Sequence, residues 1–150
     1  MEKQTRNVFG IIHIGTVNMT LKVIAYSSLD DMEIIENVSR EVKYGETVFQ
    51  RHHVSFQSLN EICQVLLGFR QLLCDYDVRV LSTTAISEAD NLISVLDQIH
   101  IRTGFDVEVI HMTKEIYYKF FGLYYNVLKG KFNFADKAVM LLDITSGGVG

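Results

Sequence analysis

Residues 8–14 and 19–26 are two apolar stretches, and only Gly15-Thr16-Val17-Asn18 lies between them. A link that short leaves no room for a crossover, so the two strands must be antiparallel neighbours. Residues 27–31 are polar and read as another turn, and a third strand over residues 32–42 completes an N-terminal meander. From there the pattern changes. Residues 78–82 and 106–110 read as short strands, each preceded by a helical stretch. Strands separated by helices need crossovers, so these later strands run parallel within the same sheet.

The helices follow from apolar spacing. Ser55 or Ser58 can cap a long helix to residue 75, with Leu59, Ile62, Cys63, Leu66, Phe69 and Leu73 as its stripe. A second helical region covers residues 84–89 and then 92–103, where Gly104 stops it. A third, residues 113–128, carries Ile116, Tyr117, Phe120, Phe121 and Tyr124. Tyr44-Gly45-Glu46 is read as breaking the third strand, and residues 47–57 as irregular. Within them Arg51-His52-His53 is either a solvated loop or an anion-steering cluster. Residues 130–136 look like a linker.

The chain then closes on Ala138-Val139-Met140-Leu141-Leu142, an apolar run expected to be a buried strand, followed by Asp143-Ile144-Thr145-Ser146-Gly147-Gly148-Val149-Gly150. Two readings fit this tail. It is an ordinary turn, or it is a loop whose small residues let backbone N–H groups approach an anion, with Asp143 placed to hold a cation. The first loop is similar, an apolar strand followed by Ile-Gly-Thr, and two such loops facing across a cleft would clamp a phosphate. A chain that stops inside such a loop is expected to have been cut short.

Bulk properties exclude several classes. Hydrophobic residues make up 48% and aromatic ones 11%, enough for a sizeable core and against disorder. A net charge of −4 provides no broad basic surface for nucleic acid. No apolar run approaches a membrane span and the N-terminus lacks a signal-peptide pattern, so a cytoplasmic protein with no membrane partner is expected. Cys63 and Cys74, eleven residues apart on one helix, lie about 16 Å apart along its axis. A disulfide requires Cα atoms within about 7 Å, so reduced core thiols are expected.

Order and motifs together resemble the N-terminal portion of the exopolyphosphatase/guanosine pentaphosphate phosphohydrolase (Ppx/GppA) family. The resemblance covers nearly the whole chain. Ile11-Ile12-His13-Ile14-Gly15-Thr16-Val17-Asn18 stands where the family has its first phosphate loop, and Tyr44-Gly45-Glu46 matches a Leu-Gly-Glu-like turn. Ser82-Thr83-Thr84-Ala85-Ile86-Ser87-Glu88-Ala89-Asp90-Asn91 is similar to Ala-Thr-Ser-Ala-x-Arg-Glu-Ala-x-Asn, the most specific match. Thr103-Gly104-Phe105-Asp106-Val107-Glu108-Val109-Ile110 matches Thr-Gly-x-x-Ile-Glu-Val-Ile, and residues 143–150 stand at the second phosphate loop.

The resemblance implies an α/β, RNase H-like lobe of the actin/sugar kinase/Hsp70 ATPase superfamily. Residues 1–130 form that lobe, and residues 131–150 form a linker and the first strand of a second. It implies release of terminal phosphate from polyphosphate or guanosine pentaphosphate. Glu115 would be the general base, and Asp143 would associate with a divalent cation, Mg2+. Gly15, Thr16, Asn18, Thr83, Ser146, Gly147 and Gly148 would bind phosphate. A homodimer is one assembly open to it, and the fragment alone is not expected to be active. Glu115 also has a purely structural reading, because an acid in a helix's first turn complements the dipole.

The departures lie at the chemistry. His13 replaces the first-loop aspartate, Val17 the loop asparagine, Thr20 a basic residue and Ser87 an arginine. Thr145 and Ser146 replace two glycines, and Gly150 a closing glutamate. Fewer acids weaken cation binding, and loss of the arginine removes a forked phosphate partner. His13 is either a substitute polar group or a hydrogen-bonded core histidine. Two other functions remain open. One is a non-catalytic regulatory protein that binds polyphosphate or a guanosine nucleotide. The other is an actin-like or sugar-kinase-like ATPase, which needs an adenosine pocket in the second lobe.

Overall fold

A computed structural model describes residues 6–73, 75–125, 140, 142–145, 148 and 149. Its main sheet has five strands in the order β3-β2-β1-β4-β5. They are β1 (Asn7–Ile14), β2 (Asn18–Ser28), β3 (Asp31–Glu41), β4 (Asp77–Ser82) and β5 (Val107–Val109). The short link after β1 makes β1 and β2 antiparallel, and β3 adds antiparallel to β2. β4 runs parallel to β1 and β5 parallel to β4, as the intervening helices require. This is the mixed sheet of an RNase H-like lobe.

One face of the sheet is the core. Ile12 and Ile14 of β1, Met19, Leu21 and Val23 of β2, and Val80 of β4 are almost wholly buried. Each such side chain contributes about 1.5–3 kcal/mol by leaving water. Helix α2 (Phe56–Leu72) supplies the expected stripe, with Leu59, Ile62, Cys63, Leu66 and Phe69 buried. Its cap is Ser55, whose Oγ accepts from the Ser58 N–H at 3.1 Å. α2 packs against α4 (Leu92–Thr103), which ends as expected at Gly104, in the left-handed region at φ 71°. Between them is α3 (Thr84–Ser87). Cys63 is a buried free thiol, and Cys74 lies outside the described residues.

Two expectations are corrected. Tyr44-Gly45-Glu46 does not simply break a strand; it opens a helix, α1 (Tyr44–Arg51), where an irregular stretch was expected. The local signals are poor, since the N-cap Lys43 makes no capping bond and Gly45 is a weak helix former. Packing overrides them: Tyr44 and Val48 are buried in the core. Arg51, His52 and His53 are exposed, so the basic cluster is a solvated helix end. The following segment is pinned by Asn91. Its Oδ1 accepts from the Val54 N–H at 3.0 Å and its Nδ2 donates to the Val54 carbonyl at 2.9 Å.

The second correction concerns the tail. Met140 and Leu142 lie outside any strand and are exposed, at 85% and 58%. An apolar run is buried as a strand only where a sheet edge receives it, and the described part of the main sheet ends at β5. The rest of residues 138–142, and the linker at 130–136, lie outside the described residues. Helix α5 is described over Met112–Leu123. Beyond it, β6 (Ile144–Thr145) and β7 (Gly148–Val149) pair antiparallel with each other as a separate two-stranded sheet. Among the described residues, no helix is long and apolar enough to cross a membrane.

Candidate functional site

The parallel registers set Ile14, Ser82 and Val109 level with one another. The segments that leave these strands, Gly15-Thr16, Thr83-Thr84 and Ile110-His111, therefore share one edge of the sheet. The Ile110 N–H donates to the Ser82 carbonyl at 2.9 Å and holds the third segment beside the second. Open α/β sheets bind ligands in the crevice outside the carboxyl ends of parallel strands.

The first loop is held from α1. The Gly15 N–H donates to the Asn18 carbonyl at 2.9 Å and closes the turn. The buried Tyr44 hydroxyl donates to the Gly15 carbonyl at 2.7 Å. The Val42 N–H donates to the Val17 carbonyl at 2.9 Å. Gly45 lies so close beneath Thr16 that a Cβ there would sit 2.5 Å from the Thr16 carbonyl oxygen. The Tyr-Gly pair thus seats the loop, a role that its reading as a plain turn missed.

Strand alternation turns His13 away from Ile12 and Ile14 and onto the sheet's second face, level with Thr20. It is half-buried, with Nε2 at 3.4 Å from the Thr83 Oγ1. His13 is therefore hydrogen-bonded, and at the loop edge rather than in the core. Burial pushes its pKa below the usual 6.5; the Glu115 carboxylate opposes this, and Lys119 and Lys22 reinforce it. The ring is neutral at pH 7. The same electrostatics tie β1 to α5, which carries both Glu115 and Lys119.

Glu115 is in the first turn of α5, its N–H donating to the His111 carbonyl at 3.0 Å. Its side chain is 17% exposed, and Oε1 lies 2.7 Å from the Lys119 Nζ. The same Nζ lies 2.6 Å from the Asp143 Oδ2. Burial works against this ammonium, but its hydrogen bonds to Asp143 and Glu115 prevail and hold its pKa above the usual lysine value.

The expected site residues divide into three sets. Gly15, Thr16, Asn18 and Thr83 gather at the sheet edge. Glu115 and Asp143 meet through Lys119, which the sequence reading did not single out although its position four residues after Glu115 was visible. Gly148 pairs with Thr145 in the small hairpin, and Ser146 and Gly147 lie outside the described residues. The carboxylates expected to serve a divalent cation are already paired with an ammonium. Asp143 and Glu115 are both engaged by Lys119, and no three His, Cys, Asp or Glu side chains converge among the described residues.

A sheet in this order, antiparallel through β1, β2 and β3 and parallel through β1, β4 and β5, defines a mixed α/β, RNase H-like lobe. Solved structures make the likeness specific. A Ppx/GppA family member from Aquifex aeolicus matches with a TM-score of 0.74 at 23% identity, over 82% of this chain and 41% of that one. An exopolyphosphatase from Cytophaga hutchinsonii matches with a TM-score of 0.67 at 22% identity, over 73% of this chain and 36% of that one. The chain has the fold of the N-terminal lobe of Ppx/GppA structures and spans less than half the length of these two. No family model and no curated protein matches it.

Proposed function

We propose that this chain is the N-terminal lobe of a phosphoanhydride hydrolase of the exopolyphosphatase/guanosine pentaphosphate phosphatase type. The lobe ends near residue 130, and residues 131–150 lead into a second. Its substrate is polyphosphate or guanosine pentaphosphate, and its setting is the cytosol. The observation that carries the reading is the position of Glu115 in the first turn of α5, the helix that follows β5 at the carboxyl edge of the parallel strands.

Cleaving an anhydride is mainly a matter of positioning and charge compensation, with one carboxylate to orient water. Glu115 has Oε1 on Lys119 and leaves Oε2 for the water. Water attacks the terminal phosphorus, the bridging P–O bond breaks, the shortened chain leaves, and Glu115 takes the water's proton. In this reading the Thr83 hydroxyl, beside the first loop, donates to a phosphoryl oxygen. Glu115 and Asp143 are the two carboxylates that could hold a cation beside phosphate, and Lys119 engages both, so no step is routed through a metal.

A regulatory, non-hydrolytic reading has its own support: His13 stands where an acid was expected, and Lys119 restrains the base. Phosphate release from polyphosphate by the full-length protein, with and without Mg2+, separates the two. Glu115→Gln should lower the rate by about 10²–10⁴-fold. Equal rates would remove Glu115 from the mechanism. Phosphate binding without release in the wild type would favour the regulatory role.

A further inference from the structure

We propose that Lys119 is the built-in cation of this site, holding Glu115 and Asp143 together where a divalent ion would otherwise bridge them, so that phosphate binds without metal. The inference rests on Glu115 and Asp143 lining the phosphate site.

Glu115 and Lys119 alone would be an ordinary helical i,i+4 pair. Asp143 changes that. It arrives from a separate segment, 24 residues further on, and its Oδ2 lies 2.6 Å from the same nitrogen. An ammonium between two carboxylates from different elements offsets part of their repulsion and fixes their separation, as a bridging ion would. The side chains are 34%, 17% and 24% exposed for Lys119, Glu115 and Asp143, so water screens the charges only in part.

An ammonium has three donors. Two go to Glu115 and Asp143, which leaves the third for a phosphate oxygen. A metal would have to displace this ammonium to reach the two carboxylates. His13, beside the first loop, has its Nε2 turned to the Thr83 hydroxyl.

The test uses full-length protein, Mn2+ followed by electron paramagnetic resonance, and inorganic phosphate binding followed by calorimetry. The wild type should give no bound-Mn2+ signal at millimolar metal, and its phosphate affinity should be unchanged by EDTA. Lys119→Met should lose phosphate affinity in EDTA, gain a bound-Mn2+ signal, and recover phosphate binding when Mn2+ is added. Lys119→Arg keeps a cation and should gain no such signal. Wild-type Mn2+ binding that Asp143→Asn abolishes overturns the proposal, as does wild-type phosphate binding that EDTA removes. Hydrolysis is read separately. Metal-free phosphate binding without phosphate release would refute the hydrolase reading and leave Lys119 as assigned; metal-dependent release would do the reverse.

Discussion

Replacing Gly45 by alanine tests whether the first turn of α1 seats the first loop. The added Cβ would lie 2.5 Å from the Thr16 carbonyl oxygen and 3.0 Å from the Thr16 Cβ. Ordinary contact lies near 3.5 Å, so the helix or the loop must retreat by roughly 1 Å. The obstacle is backbone, so no rotamer change relieves it. Overpacking of this kind costs about 1–3 kcal/mol. Alanine's better helix propensity offsets at most about 1 kcal/mol. The middle of that range less the full offset leaves a net loss of about 1 kcal/mol, which lowers Tm by about 2–4 °C for a chain of this size. Gly68 is the control. It is exposed in the middle of α2 with no atom within 4 Å of an added Cβ. There alanine should stabilise by about 0.5–1 kcal/mol. Thermal unfolding by circular dichroism reads both variants, and calorimetry with inorganic phosphate reads the loop. Gly45→Ala with wild-type Tm and wild-type phosphate affinity would refute the packing argument.

Two further predictions use the same measurements. Tyr44→Phe removes the donor to the Gly15 carbonyl with little change in packing; it should cost about 1–2 kcal/mol and weaken phosphate binding. Loss of stability without loss of phosphate affinity would separate Tyr44 from the site. His13 is neutral in the folded protein because burial depresses its pKa. The unfolded chain therefore takes up this proton first as pH falls below 6.5, and stability drops until pH passes the depressed folded value. Above 6.5 this group contributes no slope. Urea unfolding on both sides of that pH should show the drop in the wild type and a smaller one in His13→Asn, and identical profiles would contradict the assignment.

The strands and most helices could be read directly because their signals are local. Gly15-Thr16-Val17-Asn18 is too short for anything but a hairpin, the α2 stripe repeats at helical spacing, and Gly104 supplies the left-handed residue that ends α4. The candidates at the sheet edge, Gly15, Thr16, Asn18 and Thr83, came from the family resemblance, and the parallel register of β1 and β4 brings their segments together. What was not legible depends on partners remote in the chain. Helix α1 has no useful cap and carries a glycine, yet it forms because Tyr44 and Val48 are buried and the Thr16 backbone fits against Gly45. The tail looked like a buried strand because apolar residues follow one another there. A strand also needs a receiving edge, and sequence does not record which edges are open. Lys119 had a visible partner in Glu115, but its bond to Asp143 crosses 24 residues. Sequence alone therefore settled most of the strands and helices, through spacing and turn length. Tertiary structure decided how the site is charged, because only folding brings an ammonium between two carboxylates from separate segments.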